Sequence, residues 1–269
     1  FCGGEVTIAY VAEDDCGQTA ECTSTFMVMP APELTVTCPA DQTLESCLTQ
    51  DEVDSAFDQW ISEFSYDGGC NTVATDLSTF DTPNFCGGEV MITYVAEDDC
   101  GQTAECTSTF MVMTAPELTV TCPADQTLES CLTQDEVDAA FDQWISGFGI
   151  EGGCNTMATD LSIFTAPDFC GGEVTITYMA EDDCGQTAEC ASTFMVMPAP
   201  ELTVACPADQ TLESCLTQDE VDAAFDQWIS EFSYDGGCNI SATDLSAFTA
   251  PNFCGGEVMI TYVAEDDCG

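Results

Sequence analysis

The sequence repeats itself with a period of 84, and that constrains the fold more than any single motif. FCGGEV begins at Phe1, Phe85, Phe169 and Phe253. The 269 residues are three full periods and a remainder, so residues 1–17 and 253–269 cover the same part of the period. The first two periods differ at only 13 of 84 positions. The spacing predicts the C-terminal part of a repeat at 1–31, complete repeats at 32–115 and 116–199, and a repeat lacking its last strand at 200–269. A chain that starts and stops inside its own period is expected to be a slice of a longer array grown by duplication.

Within one period the apolar spacing changes twice. Leu34, Val36 and Cys38 alternate and share one face of a strand. Thr43–Ser46 reads as a second short strand after Cys38-Pro39-Ala40-Asp41. Val53, Ala56, Phe57, Trp60, Ile61 and Phe64 then fall at helical spacing. Thr49 with Glu52 forms a capping-box pattern at the start of that helix. Strands resume at 71–75, at Glu89–Ala96 with Val90, Ile92, Tyr94 and Ala96 on one face, and at Thr103–Met113. The expected class is mostly β. It is a tandem array of immunoglobulin-like β-sandwich repeats of period 84, each with one inserted amphipathic α-helix and three disulfides.

Composition excludes several functions. The chain has 50 Asp and Glu and no Lys, Arg or His, for a net charge of −50. At average usage one repeat should hold roughly ten basic residues. Without any, the chain cannot neutralise phosphates, so no nucleic-acid partner is expected, nor a polybasic membrane patch. Catalysis by His or Lys is impossible, as are Lys–Asn isopeptide cross-links. No apolar run is long enough to span a bilayer. The pairs Asp14-Asp15, Asp98-Asp99, Asp182-Asp183 and Asp266-Asp267 recur in every repeat instead of marking one cleft, so the chain is not expected to be an enzyme.

A resemblance sits on CPADQTL (Cys38–Leu44) and VMITYVAEDDCGQTAECTSTFMV (Val90–Val112). Together with Gly68-Gly69-Cys70-Asn71 and Cys86-Gly87-Gly88, these resemble hyalin repeat (HYR) domains, in the Cys-rich form found in giant secreted surface adhesins of gliding bacteria. The chain departs from that pattern in its helix and in Gln102, where the family's closing motif has Asn. The resemblance implies an immunoglobulin-like fold, an extracellular, cell-surface location, and a role as stalk or adhesin in gliding motility. It brings no catalytic residue with it.

Each unit has six cysteines, at 38, 47, 70, 86, 100 and 106 in the first complete one. An even number at fixed spacing reads as disulfides in an oxidising compartment. Six cysteines allow fifteen connectivities. Cys86–Cys100 is disfavoured because a strand of about 30 Å separates the two. Cys38 and Cys106 face inward on the first and last strands, which are neighbours in an immunoglobulin-like sandwich, and are expected to pair. If Thr43–Cys47 runs parallel to the last strand, Cys47 ends near Cys86, and Cys70 opens a strand antiparallel to Glu89–Asp98, near Cys100; the expected pairs are Cys38–Cys106, Cys47–Cys86 and Cys70–Cys100. The second repeat would have Cys122–Cys190, Cys131–Cys170 and Cys154–Cys184, and the third Cys215–Cys254 and Cys238–Cys268.

The leading functional expectation is a structural segment of a long extracellular, disulfide-stapled, highly acidic fibre. Its first partners are neighbouring repeats of the same chain. The alternative is a multivalent module binding a glycan, substratum or ion through the variable loops 63–67 and 79–84 and their equivalents 147–151 and 163–168. No cofactor is expected except Ca²⁺. Oxygen ligands for it would be Glu33, Glu97, Asp98 and Asp99 at one junction, and Glu117, Glu181, Asp182 and Asp183 at the next. Asn239-Ile240-Ser241 fits the N-glycosylation pattern in one repeat only, as a chance match would.

Overall fold

The computed structural model describes residues 2–269; Phe1, which opens the first FCGGEV copy, lies outside the described residues. The chain is mostly β with three helices and divides into two compact units. One comprises Phe1–Glu117 with Gly152–Thr156 and Asp182–Gln186. The other comprises Leu118–Glu151, Met157–Glu181 and Thr187–Gly269. Neither follows the repeat boundaries. Two short pieces of the 116–199 repeat, each carrying a cysteine, group with the residues before Glu117.

In the first unit, β1 (Gly4–Glu13) and β2 (Thr19–Val28) form a hairpin. The strands β3 (Thr35–Thr37) and β4 (Gln42–Leu44) come next, then α1 (Gln50–Ile61), β5 (Ser65–Asp67) and β6 (Val73–Ala74). The long hairpin β7 (Gly88–Glu97) and β8 (Thr103–Val112) closes the repeat. These make a four-stranded sheet of order β4-β8-β7-β6 and a two-stranded ribbon, β3 with β5. The segment after Asp41 runs parallel to the last strand, with Gln42 opposite Phe110 and Leu44 opposite Val112. The segment at 73–74 is antiparallel to β7. The first strand hydrogen-bonds to β5, Val36 opposite Tyr66, while Cys38 just after it is bonded to Cys106 of the last strand.

Helix α1 forms because its ends are satisfied and one face is apolar. Glu52 N–H donates to Thr49 Oγ1 at 3.3 Å, and Thr49 N–H donates to Glu52 Oε2 at 2.9 Å, completing the capping box. Hydrogen bonds from the Thr49 backbone and side chain hold the Glu52 carboxyl below its ordinary pKa. The apolar face is the second layer of the fold, not an insertion at its edge. The Phe57 and Trp60 rings lie 5.3 and 5.4 Å from that of Phe110, and Phe64 lies 5.5 Å from Tyr94. Trp60 buries its ring while its Nε1–H donates to the Ala40 carbonyl at 3.1 Å, so no buried donor is orphaned. Helix α1 and strand β3, through Val36, pack against the apolar face of the sheet.

The second unit repeats this plan. It contains β9 (Thr119–Thr121), β10 (Gln126–Leu128), α2 (Gln134–Ile145), β11 (Gly149–Glu151) and β12 (Met157–Ala158). The hairpin β13 (Gly172–Glu181) and β14 (Thr187–Val196) follows, in the sheet order β10-β14-β13-β12. The incomplete repeat after it has β15 (Thr203–Ala205), α3 (Gln218–Ile229), β16 (Ser233–Asp235), β17 (Ser241–Ala242) and β18 (Ala264–Glu265). Residues 256–263 copy most of the β7 sequence but are not strand; the next two residues, β18, pair antiparallel with β17.

Candidate functional site: the cysteine ladder

Among the described residues the most developed chemistry is sulfur. Seven disulfides form among them, and five join consecutive repeats. Cys38–Cys106 and Cys122–Cys190 are the pairs expected inside a repeat, each with Cα atoms 6.0 Å apart and a sequence separation of 68. The rest follow two other offsets. Cys47–Cys154 and Cys131–Cys238 are separated by 107 in sequence. Cys2–Cys100, Cys86–Cys184 and Cys170–Cys268 are separated by 98.

The expected pairs Cys47–Cys86, Cys70–Cys100, Cys131–Cys170, Cys154–Cys184, Cys215–Cys254 and Cys238–Cys268 are therefore corrected. The sulfurs of Cys154 and Cys184 do lie within 4.8 Å of each other, but each is bonded to a cysteine of the preceding repeat. Each complete repeat delivers two cysteines into the next, so the partners of Cys47 and Cys86 lie outside their own period.

Local backbone aims these sulfurs. Cys47 and Cys131 occupy the left-handed region at φ 66° and 67°, just before their helices. A non-glycine residue there costs on the order of 1–3 kcal/mol. Unbonded Cys215 has the same conformation, φ 76°, so the loop sets the geometry and the bond does not. Cys154 follows the Gly152-Gly153 turn and is buried. Cys86 N–H donates to Asn84 Oδ1 at 2.8 Å, and Gln50 of α1 grips the same loop through Pro83 O and Phe85 N–H. The helix that closes the core thus also positions a rung of the ladder.

Six cysteines are unpaired: Cys16, Cys22, Cys70, Cys206, Cys215 and Cys254.

The acidic turns beside the ladder serve the turn. Asp98 is buried, and all four hydrogen bonds to its carboxylate come from protein. Oδ1 accepts from the N–H groups of Cys100 and Gln102 at 2.9 and 2.8 Å. Oδ2 accepts from Cys70 N–H at 3.1 Å and Gln102 Nε2 at 2.9 Å. Burial pushes this carboxyl up, but the bonds from Gln102, Cys70 and Cys100 outweigh it and hold the pKa below the ordinary value of 3.8. Asp182 repeats the arrangement with Gln186, Cys154 and Cys184. Asp99 and Asp183 each accept from an asparagine, Asn71 and Asn155.

The proposed calcium ligands do not converge. The turn does lie by the start of its repeat, where Gln102 Nε2 donates to Pro32 O at 3.0 Å. Yet among the described residues the one group of three or more potential ligands is Cys154, Asp182 and Cys184. Glu33, Glu97, Asp98 and Asp99 are not such a group, nor are Glu117, Glu181, Asp182 and Asp183. The group that does form is unsuited to a metal, because both sulfurs are in disulfides and both Asp182 oxygens are taken.

Residues 65–67 are strand β5, and the 79–84 loop is fastened to α1 through Gln50. No helix among the described residues is long and apolar enough to cross a membrane.

No protein-family model matches the chain, and no curated protein matches it. Among solved structures it is similar to protocadherin gamma B7 extracellular cadherin domains 1–4, at 10% identity and TM-score 0.29, covering 90% of this chain and 52% of that one. It is also similar to PcdhgB3 EC1-4, at 12% identity and TM-score 0.30, covering 80% and 65%. A tetra-tandem repeat in the extending region of a large adhesion protein matches at 13% identity and TM-score 0.20, covering 77% and 61%. The chain spans between about half and two thirds of each of these structures. At such scores the likeness decides nothing about this chain.

Proposed function

We propose that the chain is a structural segment of a long extracellular fibre, a stalk or adhesin, built from HYR-like repeats and stapled by disulfides. The observation that carries this reading is the ladder: five disulfides tie each repeat to the next. A binding module needs each domain folded; it does not need its domains bonded in series. Disulfides at this density belong to an oxidising compartment, and all-acidic charge keeps such fibres soluble and apart. On this reading the protein catalyses nothing, and its main partners are repeats of its own kind.

The test is antibody labelling of intact and permeabilised cells that make the protein, with a thiol count on freshly isolated material. Surface filaments labelled without permeabilisation, with most cysteines blocked from alkylation, are expected. Label confined to the cell interior, or mostly free thiols, would overturn the reading.

A further inference from the structure

We infer that the disulfides and the long strands form a covalent tension line that makes the oxidised protein nearly inextensible. The line is read by alternating bonds and backbone. Cys2 is bonded to Cys100. From Cys100 the backbone runs back through β7 to Cys86. Cys86 is bonded to Cys184. From Cys184 the backbone runs back through β13 to Cys170. Cys170 is bonded to Cys268.

This path connects the two ends of the chain through only two short backbone segments, 86–100 and 170–184, where the polypeptide itself must be followed all the way from Cys2 to Cys268. Those two segments hold little hidden length, because most of each is strand, β7 in one and β13 in the other. A strand already rises about 3.3 Å per residue, close to the limit of an extended chain. Pulling on the ends therefore loads covalent bonds first. The helices, short strands and cores lie on side branches and bear no net tension.

A second line is looser. Cys47–Cys154 and Cys131–Cys238 are joined through the backbone from Cys131 to Cys154, which contains α2. A helix rises about 1.5 Å per residue, so this segment has slack and the strand line tightens first. Under load it is a reserve.

This deepens the stalk reading by naming what a stalk would be loaded through, and it rests on that reading for its biological setting only. The experiment is single-molecule pulling on the full chain held by tags at its two ends, with unpaired thiols counted and then alkylated. Six free thiols per chain are expected. Oxidised molecules should reach a contour of about 110 Å and show no unfolding steps beyond it. Reduced molecules should reach about 900 Å, an increase of roughly eightfold, whether or not they remain folded beforehand. Oxidised molecules that lengthen by several hundred ångström would overturn the tension line and leave the stalk reading standing. So would peptide mapping that found Cys47–Cys86 and Cys154–Cys184. Twenty free thiols in native material would overturn both.

Discussion

Asp98, expected among the oxygen ligands for Ca²⁺ at a junction, anchors its own turn. Both of its oxygens are committed to N–H groups of Cys70, Cys100 and Gln102. The signal was present in the alternation. Val90, Ile92, Tyr94 and Ala96 share the inward phase of β7, and Asp98 is the next residue in that phase. An inward acid followed by Gly101 and Gln102 is a turn anchor. Its hydrogen bonds depress the folded-state pKa, so the stability they supply is fully present above the ordinary aspartate value of 3.8 and is lost as pH falls through the lower folded value. Asp98→Asn with Asp182→Asn should lower Tm at pH 7 by roughly 5 °C, because an amide places donors against donors. The gap from wild type should shrink below about pH 4. Thermal melts across pH 2–7 read both, and a pH-independent gap would refute the assignment. The partners of Cys47 and Cys86 were less legible at this scale. Their sulfurs point out of their own repeat, and nothing within one period encodes what the next repeat presents.

Among the elements, the helix was legible almost to the residue, because capping box and apolar spacing are local properties. Its place as the second layer was not, because that depends on which sheet faces it. β1–β2 and β7–β8 have nearly the same sequence and the same register, so strand pairing is written in the hairpin. Phe110 of β8 is fully buried against α1. Phe57→Ala should cost about 3–5 kcal/mol, since it removes the ring that meets Phe110 and Trp60. Thr49→Ala should cost about 1 kcal/mol through the lost cap, so denaturant midpoints should rank the two variants in that order.

For the whole molecule, two opposing features meet: acids with no bases, and covalent ties from repeat to repeat. With no counter-charge in the chain, its 50 acids repel one another, and salt should stabilise the fold by screening that repulsion. Because the acids at the junctions do not converge on a shared site, CaCl₂ should raise Tm no more than NaCl of matched ionic strength. A clear excess for calcium would point to Glu33, Glu97, Asp98 and Asp99 as its ligands. The ties oppose chain cleavage as well as tension. The peptide between β8 and β9 passes through exposed Glu117, which a glutamate-specific protease can reach, while trypsin finds no site anywhere. One cut after Glu117 leaves the two halves joined by Cys47–Cys154 and Cys86–Cys184. Under non-reducing conditions the nicked protein should still migrate as one body near 28.6 kDa, and reductant should split it. Either disulfide alone suffices, so Cys47→Ser and Cys86→Ser should each behave like wild type. Only the double variant should separate without reductant, because every other disulfide lies wholly on one side of the cut. If the nicked wild type falls apart before reduction, the repeats are stapled internally and the ladder does not exist.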